Sequence, residues 1–551
     1  MTSAKNSPAQ IWGDFDSTAQ PLKATVHSQE TRLGAHIKTY SYEAFNDGFD
    51  FISVAVKSYE VPIVNPDKIL IVIPEYHKQP SEEFLIDLAK GGYFVLVPDI
   101  NGTAETPTYF SEGLKYARFD LSGERINSFI NSPKDSCQYQ YTLIVKRAIH
   151  FAECYIKAVN RSLVGAPALL GMGDSAEIAF QTAGSGENIS ALLIINGLAY
   201  REYINFSRFG KEDLELTEER VNWLSSVASV AYARHISAPI FIALGTNSPV
   251  ADIDRLELLK SIIPHEIFVS LSDSAGGFIL NDSYETAKAW LNSVFYGESF
   301  PKSPEISLRV NSDKQIYADI TLEDGAEAKS VTLYYAEGIN HRLRAWHEVS
   351  GIAVSGNSYI ARAHANSKNI FAYAKVVYAS GECLTSIPIR LNLEDLIPEN
   401  LSCAKSGVCF DVESLPCKFK ELCFNEVLLA PTLAQISTQT GAKGIKAESG
   451  AVKIFKPLAG MCVNQDAFMQ IDLYANETTA TQIVIETEDT QGAIKSYCAW
   501  VEIYETQGFF ISSRFNPQYF KDENLLPMPS WQAMASLEIR GNVSVGNILF
   551  I

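Results

Sequence analysis

No apolar run in this 551-residue chain approaches the roughly 20 residues needed to span a bilayer. The opening Met-Thr-Ser-Ala-Lys-Asn-Ser-Pro-Ala-Gln also lacks the apolar stretch of a secretory signal. Membrane insertion is therefore not expected, and cytoplasmic residence is. Basic residues are in deficit: 45 Lys and Arg stand against 64 Asp and Glu, for a net charge of -19. Nucleic-acid affinity comes mainly from cations neutralising phosphates, so this balance argues against such a partner and leaves carbohydrate or protein open. The nine cysteines are an odd number. Cys403, Cys409, Cys417 and Cys423 cluster loosely, but their gaps are wider than the ~2–4-residue spacing of zinc knuckles. Free thiols in a reducing compartment are expected, with no metal and no cofactor. Internal repeats and low-complexity tracts are absent too.

What is present divides into three regions with different grammar, as a prior of one domain per roughly 150 residues allows. From Lys68 onward, short apolar runs alternate with helical patterns. Lys68–Pro74, Tyr93–Pro98, Pro167–Gly171, Ala191–Asn196, Pro239–Gly245 and Glu266–Leu271 are continuously apolar, as strands buried on both faces should be. Ser81–Lys90, Tyr139–Val159, Asp174–Ala183, Arg255–Ser261 and Tyr284–Phe295 are the helix candidates. The alternation predicts a mostly parallel sheet flanked by helices. Ahead of it, Ala35–Ala44 and Phe49–Tyr59 flank the hairpin signal Asn46-Asp47-Gly48 and predict an antiparallel edge. After Pro301 the helical patterns stop. Residues 301–395 read as a β-sandwich and 400–551 as a second all-β unit, joined by the polar linker Glu394–Glu399.

Ile11-Trp12-Gly13-Asp14-Phe15-Asp16, the Asn46-Asp47-Gly48 hairpin and Gly92-Tyr93-Phe94-Val95-Leu96-Val97-Pro98-Asp99, in that order and spacing, make residues 1–300 resemble the α/β-hydrolase superfamily. The likeness is to its acetyl-xylan-esterase and dienelactone-hydrolase-like branches. In that fold a nucleophile sits on a strained strand-to-helix turn, Gly-x-Ser-x-Gly. Here the turn reads Gly171-Met172-Gly173-Asp174-Ser175, and the resemblance puts Gly173 at the nucleophile position. The acid position falls on Ser248, in Thr246-Asn247-Ser248-Pro249, and a serine cannot stabilise an imidazolium. The histidine position falls on Gly276, in Asp273-Ser274-Ala275-Gly276-Gly277-Phe278, and no histidine lies between His265 and His341. His235 and His265 precede their strands, so they belong at the wrong end of the sheet.

No catalytic residue is therefore expected. The alternative is an esterase or deacetylase acting on a carbohydrate ester through a rearranged site, with Ser175 as nucleophile and His77 as base. Ser175 would then sit on the first helical turn, where a hydroxyl more naturally caps or packs. Glu75, Tyr76, His77, Asp99, Met172 and Asp174 are the expected lining of any residual ligand pocket.

The middle region, with Ser330-Val331-Thr332-Leu333-Tyr334-Tyr335 and Trp346, resembles the fibronectin-III-like or immunoglobulin-like sandwiches appended to some hydrolases. Trp346 is expected as its core tryptophan. The last region, with Gln470-Ile471-Asp472-Leu473-Tyr474 and Cys498-Ala499-Trp500-Val501-Glu502-Ile503, resembles a jelly-roll carbohydrate-binding module. Trp500 and Trp531 are its glycan-stacking candidates, since sugar rings stack on exposed aromatic platforms. Together these readings predict a catalytically inactive hydrolase-like body used as scaffold or ligand-binding unit, carrying β modules for glycan or protein.

Overall fold

The computed structural model describes residues 7–551 apart from 65, 77, 115–131, 201–217, 274–275, 277–278, 312–314, 324, 365–368, 394–406, 411–418, 424–425, 429–432, 436–442, 448, 459–462 and 490–491. The linker expected at Glu394–Glu399 lies outside the described residues, as do His77 and Gly277.

The apolar runs build the centre of a ten-stranded sheet. In chain order its strands are β1 (Thr25–Arg32), β2 (Ala35–Asn46), β3 (Phe51–Glu60), β4 (Lys68–Ile73), β5 (Tyr93–Pro98), β6 (Tyr109–Phe110), β7 (Ala168–Met172), β8 (Ala191–Ile195), β9 (Ile240–Gly245) and β10 (Ile267–Ser272). Across the sheet the order is β1-β2-β3-β5-β4-β7-β8-β9-β10, with β6 beside β3. Pairings from β5 to β10 are parallel, and those of β1, β2 and β3 are antiparallel. Every residue of β4, β5, β8 and β9 is buried.

Side chains of successive residues go to opposite faces, so each strand serves two cores. Ile69, Ile71 and Ile73 pack with α3 (Cys137–Ala158) and α4 (Ala176–Gly184); Leu70 and Val72 pack with α2 (Glu82–Lys90) and α8 (Asn281–Tyr296). The helices start where capping chemistry allows. Ser81 Oγ accepts from Phe84 N–H at 3.3 Å at the head of α2, and Ser136 Oγ accepts from Tyr139 N–H at 3.2 Å at the head of α3. A mostly parallel sheet in this order, clad by helices on both faces, is the α/β-hydrolase architecture.

Among the described residues after Glu305, the sheets are antiparallel. Nine strands between Glu305 and Asn392 form two sheets, of four and five strands. The five-stranded sheet contains Ala328–Glu337, Asn369–Tyr378 and the short Cys383–Thr385. Cys383–Thr385 lies along β10 and closes that edge: Leu271 N–H donates to Thr385 Oγ1 (3.3 Å) and Ser270 Oγ to the Cys383 carbonyl (2.8 Å). Covering an edge strand removes its capacity to recruit another chain. Trp346 corrects one expectation. It is half-buried and packs against the core cluster shared with α3 and α4, its ring meeting Tyr373 at 4.9 Å, at the seam with the α/β part. From Gly407 onward, two six-stranded antiparallel sheets enclose a third core that includes Ile471, Ile485, Leu537 and Ile548. No helix among the described residues is long and apolar enough to cross a membrane.

Candidate functional site

The strand order reverses between β4 and β7: β5 lies on one side of β4 and β7 on the other. In open α/β sheets the ligand crevice lies outside the carboxyl ends of the strands at this switch point. The chain leaves β4 there into Pro74-Glu75-Tyr76, and leaves β7 there into Gly173.

Gly173 has φ +53°, the left-handed conformation that side chains with a Cβ rarely adopt. It begins a tight turn, Gly173–Ser175, that runs directly into α4. The turn is packed on all sides. A Cβ on Gly171 would fall 2.6 Å from Ala179 Cβ, and one on Gly197 would fall 2.2 Å from the Gly173 carbonyl oxygen. The turn is thus tight and closely packed, with a left-handed glycine at its apex. A Cβ at Gly173 would also lie 2.5 Å from Cγ and 2.8 Å from Oε1 of Glu75, so the Glu75 side chain fills the space above the apex.

Ser248, expected at the acid position, is fully buried after β9. This loop is occupied by a segment from the middle β part, residues 338–346. The Asn247 side-chain amide donates to the main-chain carbonyls of His341 (3.2 Å), Arg342 (3.1 Å) and Arg344 (2.9 Å). His341 Nε2 donates to the Ser248 carbonyl at 2.9 Å, and its Nδ1 lies 3.4 Å from Asp252 Oδ1. The fully buried Arg344 grips Asp254 with two 2.6 Å contacts and donates to the carbonyls of Gly338 and Ile339. Burial works to raise the Asp252 carboxyl, but the facing His341 and the Arg255 guanidinium overcome it and hold its pKa below the usual carboxylate range.

An acid–histidine pair thus sits in the loop after β9, assembled from two parts of the chain. It is not poised for base catalysis, because its Nε2 is tied to a main-chain carbonyl rather than to a hydroxyl or thiol. Nothing in the sequence connects Asp252 and Asp254 with His341 and Arg344, which lie about 90 positions away. The one available signal was a run of three basic residues, His341, Arg342 and Arg344, in a β region that needs none. The same segment also reaches the C-terminal β part. Asn340 N–H donates to Glu488 Oε1 (2.5 Å), its side chain to the Gly492 carbonyl (2.9 Å), and Leu343 packs on Phe455 and Ala535.

The other expected residues fall as follows. Ser175 is fully buried, its hydroxyl within 3.0 Å of the Ile73 carbonyl and 2.8 Å of the Met172 carbonyl, which makes it a packing group of the turn. His77, its expected base, lies outside the described residues. Gly276 is buried after β10. His235 and His265 stand exposed at the amino ends of β9 and β10, as expected. Tyr76 is fully buried; its hydroxyl donates to Glu177 and its N–H to Asp174 Oδ1 (3.0 Å), which ties the β4 loop to the elbow. Glu75, Met172 and Asp174 are half-buried around Gly173. Asp99 is a loop organiser rather than part of that lining. Its carboxylate accepts from the N–H groups of Thr103 (3.1 Å) and Thr108 (2.7 Å), while burial still pushes its pKa up. No group of His, Cys, Asp and Glu side chains suited to a metal ion occurs among the described residues.

In the C-terminal part the two tryptophans separate. Trp500 is 69% exposed on the edge strand Ile494–Ile503, opposite Gln482, with Arg540 opposite Gln482 on the next strand. Trp531 is a correction: it is fully buried, donates its indole N–H to the Ala467 carbonyl (2.8 Å) and packs on Phe520 and Phe550. It is a core residue.

No family model matches the chain, and no curated protein matches it. Among solved structures, the chain is similar to the acetyl xylan esterase from Paenibacillus sp. R4, at 16% identity and TM-score 0.38, over 50% of this chain and 90% of that one. It is also similar to acetyl xylan esterase 1 from Thermoanaerobacterium sp. JW/SL YS485, at 11% identity and TM-score 0.41, over 53% and 94%. A third likeness is to the Pyrococcus furiosus esterase Pf2001, at 12% identity and TM-score 0.32, over 47% and 92%. Likenesses of this size carry no chemistry to this chain, whose architecture follows from its own strand order.

Proposed function

We propose that this chain is a catalytically inactive α/β-hydrolase-like protein that serves as a scaffold, in three units spanning about 1–300, 301–395 and 400–551. The C-terminal unit supplies a binding face. The observation that carries this reading is the elbow apex, where a left-handed glycine stands under the Glu75 side chain. A glycine offers no atom with which to attack an ester, and the neighbouring acid loop is engaged by residues 341–344. Labelling the intact protein with a fluorophosphonate probe tests it. No labelling is expected; stoichiometric labelling that disappears in Ser175→Ala would establish the esterase alternative and overturn the scaffold reading.

For the binding face the reading favours glycan over protein, because the exposed Trp500 stands beside the hydrogen-bonding side chains of Gln482 and Arg540. Sugar rings take this combination, an aromatic platform flanked by amide, guanidinium or carboxylate. A glycan array with wild type and Trp500→Ala is the matching experiment. Binding lost in the variant is expected, and silence across the array would assign the face to protein contact instead.

A further inference from the structure

A separate cavity of about 250 Å³ lies on the α2 face of the sheet, away from Gly173 and from Trp500. Its floor is a cross-strand row. Thr39 on β2 stands opposite Lys57 on β3, and Lys57 stands opposite Val97 on β5; opposed residues on neighbouring strands share a face. Thr39 and Val97 are buried and Lys57 half-buried in this row, and the first turns of α2, with Glu82 and Leu85, form one wall. The opposite wall is the loop Ala104-Glu105-Thr106, held in shape by the buried Asp99 carboxylate through the N–H groups of Thr103, Ala104 and Thr108.

The lining has an unusual balance. The Lys57 ammonium and the Gln79 amide make no hydrogen bond or ion pair with any described residue, although the buried lysines Lys68 and Lys146 are both paired. Three carboxylates belong to the lining: Glu105, the Arg32-paired Glu82 and the loop-bound Asp99. Between them the surface is apolar: Ala55, Val97 and Leu85. A ligand with a single charge would meet a like charge here as well as an opposite one. A hydroxyl suits both, because it accepts from an ammonium or amide N–H and donates to a carboxylate. The volume is below the roughly 300–1,000 Å³ of sites that take drug-sized ligands, which sets the size at about one ring.

We propose that this cavity binds a neutral polyhydroxylated small molecule of monosaccharide size, with its C–H face on Val97 and Leu85 and its hydroxyls shared among Lys57, Gln79 and Glu105. The site is independent of the scaffold reading and of the Trp500 face, and either can fail without the other.

Calorimetric titration of the full chain with glucose, galactose, mannose and N-acetylglucosamine tests it, with serine as a zwitterionic arm. At least one sugar is expected to bind saturably and serine is not. Lys57→Met, which keeps the stem and removes the charge, and Gln79→Ala, at an exposed position, should each weaken that sugar at least tenfold. Trp500→Ala should leave it unchanged. The proposal is overturned if none of the four sugars binds, if serine binds as well as the sugars do, or if both cavity variants bind like wild type.

Discussion

At the scale of single residues, the two tryptophans and one arginine give the sharpest expectations. Trp531 fills the C-terminal core, so Trp531→Ala should cost about 3–5 kcal/mol of stability in denaturant unfolding. Trp500→Ala should change stability by no more than about 0.5 kcal/mol. Equal costs for the two would contradict the register that turns Trp500 outward. Arg344 is fully buried against Asp254, and removing it leaves a carboxylate uncompensated inside the protein. Arg344→Ala should therefore destabilise by roughly 3–5 kcal/mol, read from the shift in the denaturant midpoint; a loss under about 1 kcal/mol would mean that Asp254 finds water. Gly173→Ser would have to hold a left-handed conformation, a strain of about 1–3 kcal/mol. Its colliding neighbour is the movable end of Glu75, so the variant should fold.

At the scale of elements, what the sequence made legible was what burial writes into it. The strands β4, β5, β7, β8, β9 and β10 are apolar at nearly every position because helices cover both their faces, and each was readable to within one or two residues. β1 was not readable. All eight of its residues are exposed, so Thr-Val-His-Ser-Gln-Glu-Thr-Arg carries neither an apolar run nor an alternation. The elbow was legible as a spacing of small residues, since tight turning and close packing both demand them. The engagement of the acid loop by His341 and Arg344 was not, because contacts between residues 90 or more positions apart leave no periodic trace. Trp500 and Trp531 looked equivalent for a related reason: an aromatic in a β region reports its strand's parity only once the register is known.

The acid dependence of stability also belongs to elements. Glu60 ends β3, where Arg161 (2.7 Å) and Lys38 (3.4 Å) fasten it to the chain beyond α3 and to β2. Burial alone would raise its pKa, but Arg161 and then Lys38 reverse the effect and hold it below the ordinary 4.5. The unfolded chain therefore binds this proton first. The stabilisation is complete above the ordinary value and drains away as pH falls from there through the folded pKa. Thermal unfolding followed downward from neutral pH should show the loss beginning near pH 4.5, and Glu60→Gln should flatten it. An unchanged slope would place the acid sensitivity in other carboxylates, such as Asp252.

At the scale of the whole molecule, the α/β part and the middle β part share their apolar clusters: Tyr334 and Tyr373 belong to the cluster that includes α3 and α4, and Leu333 and Ala372 to that of α2 and α8. Residues 338–346 then touch the C-terminal part as well. Scanning calorimetry should accordingly show one cooperative transition in the wild type and a divided one in Arg344→Ala. Two or more separate transitions in the wild type would mean that these contacts do not couple the units.

The docking of residues 338–346 into the acid loop also imposes an order in time. Asn247 finds its last carbonyl on a residue made 97 positions later. A ribosome adding roughly 5–20 residues per second takes on the order of 5–20 seconds to cover that distance. Through that interval the sheet of the α/β part can form while its acid loop stays unsatisfied. The N-terminal half thus waits for a neighbour to finish it, and a chain truncated before Gly338 would leave Asp254 and Asn247 with nothing to close upon.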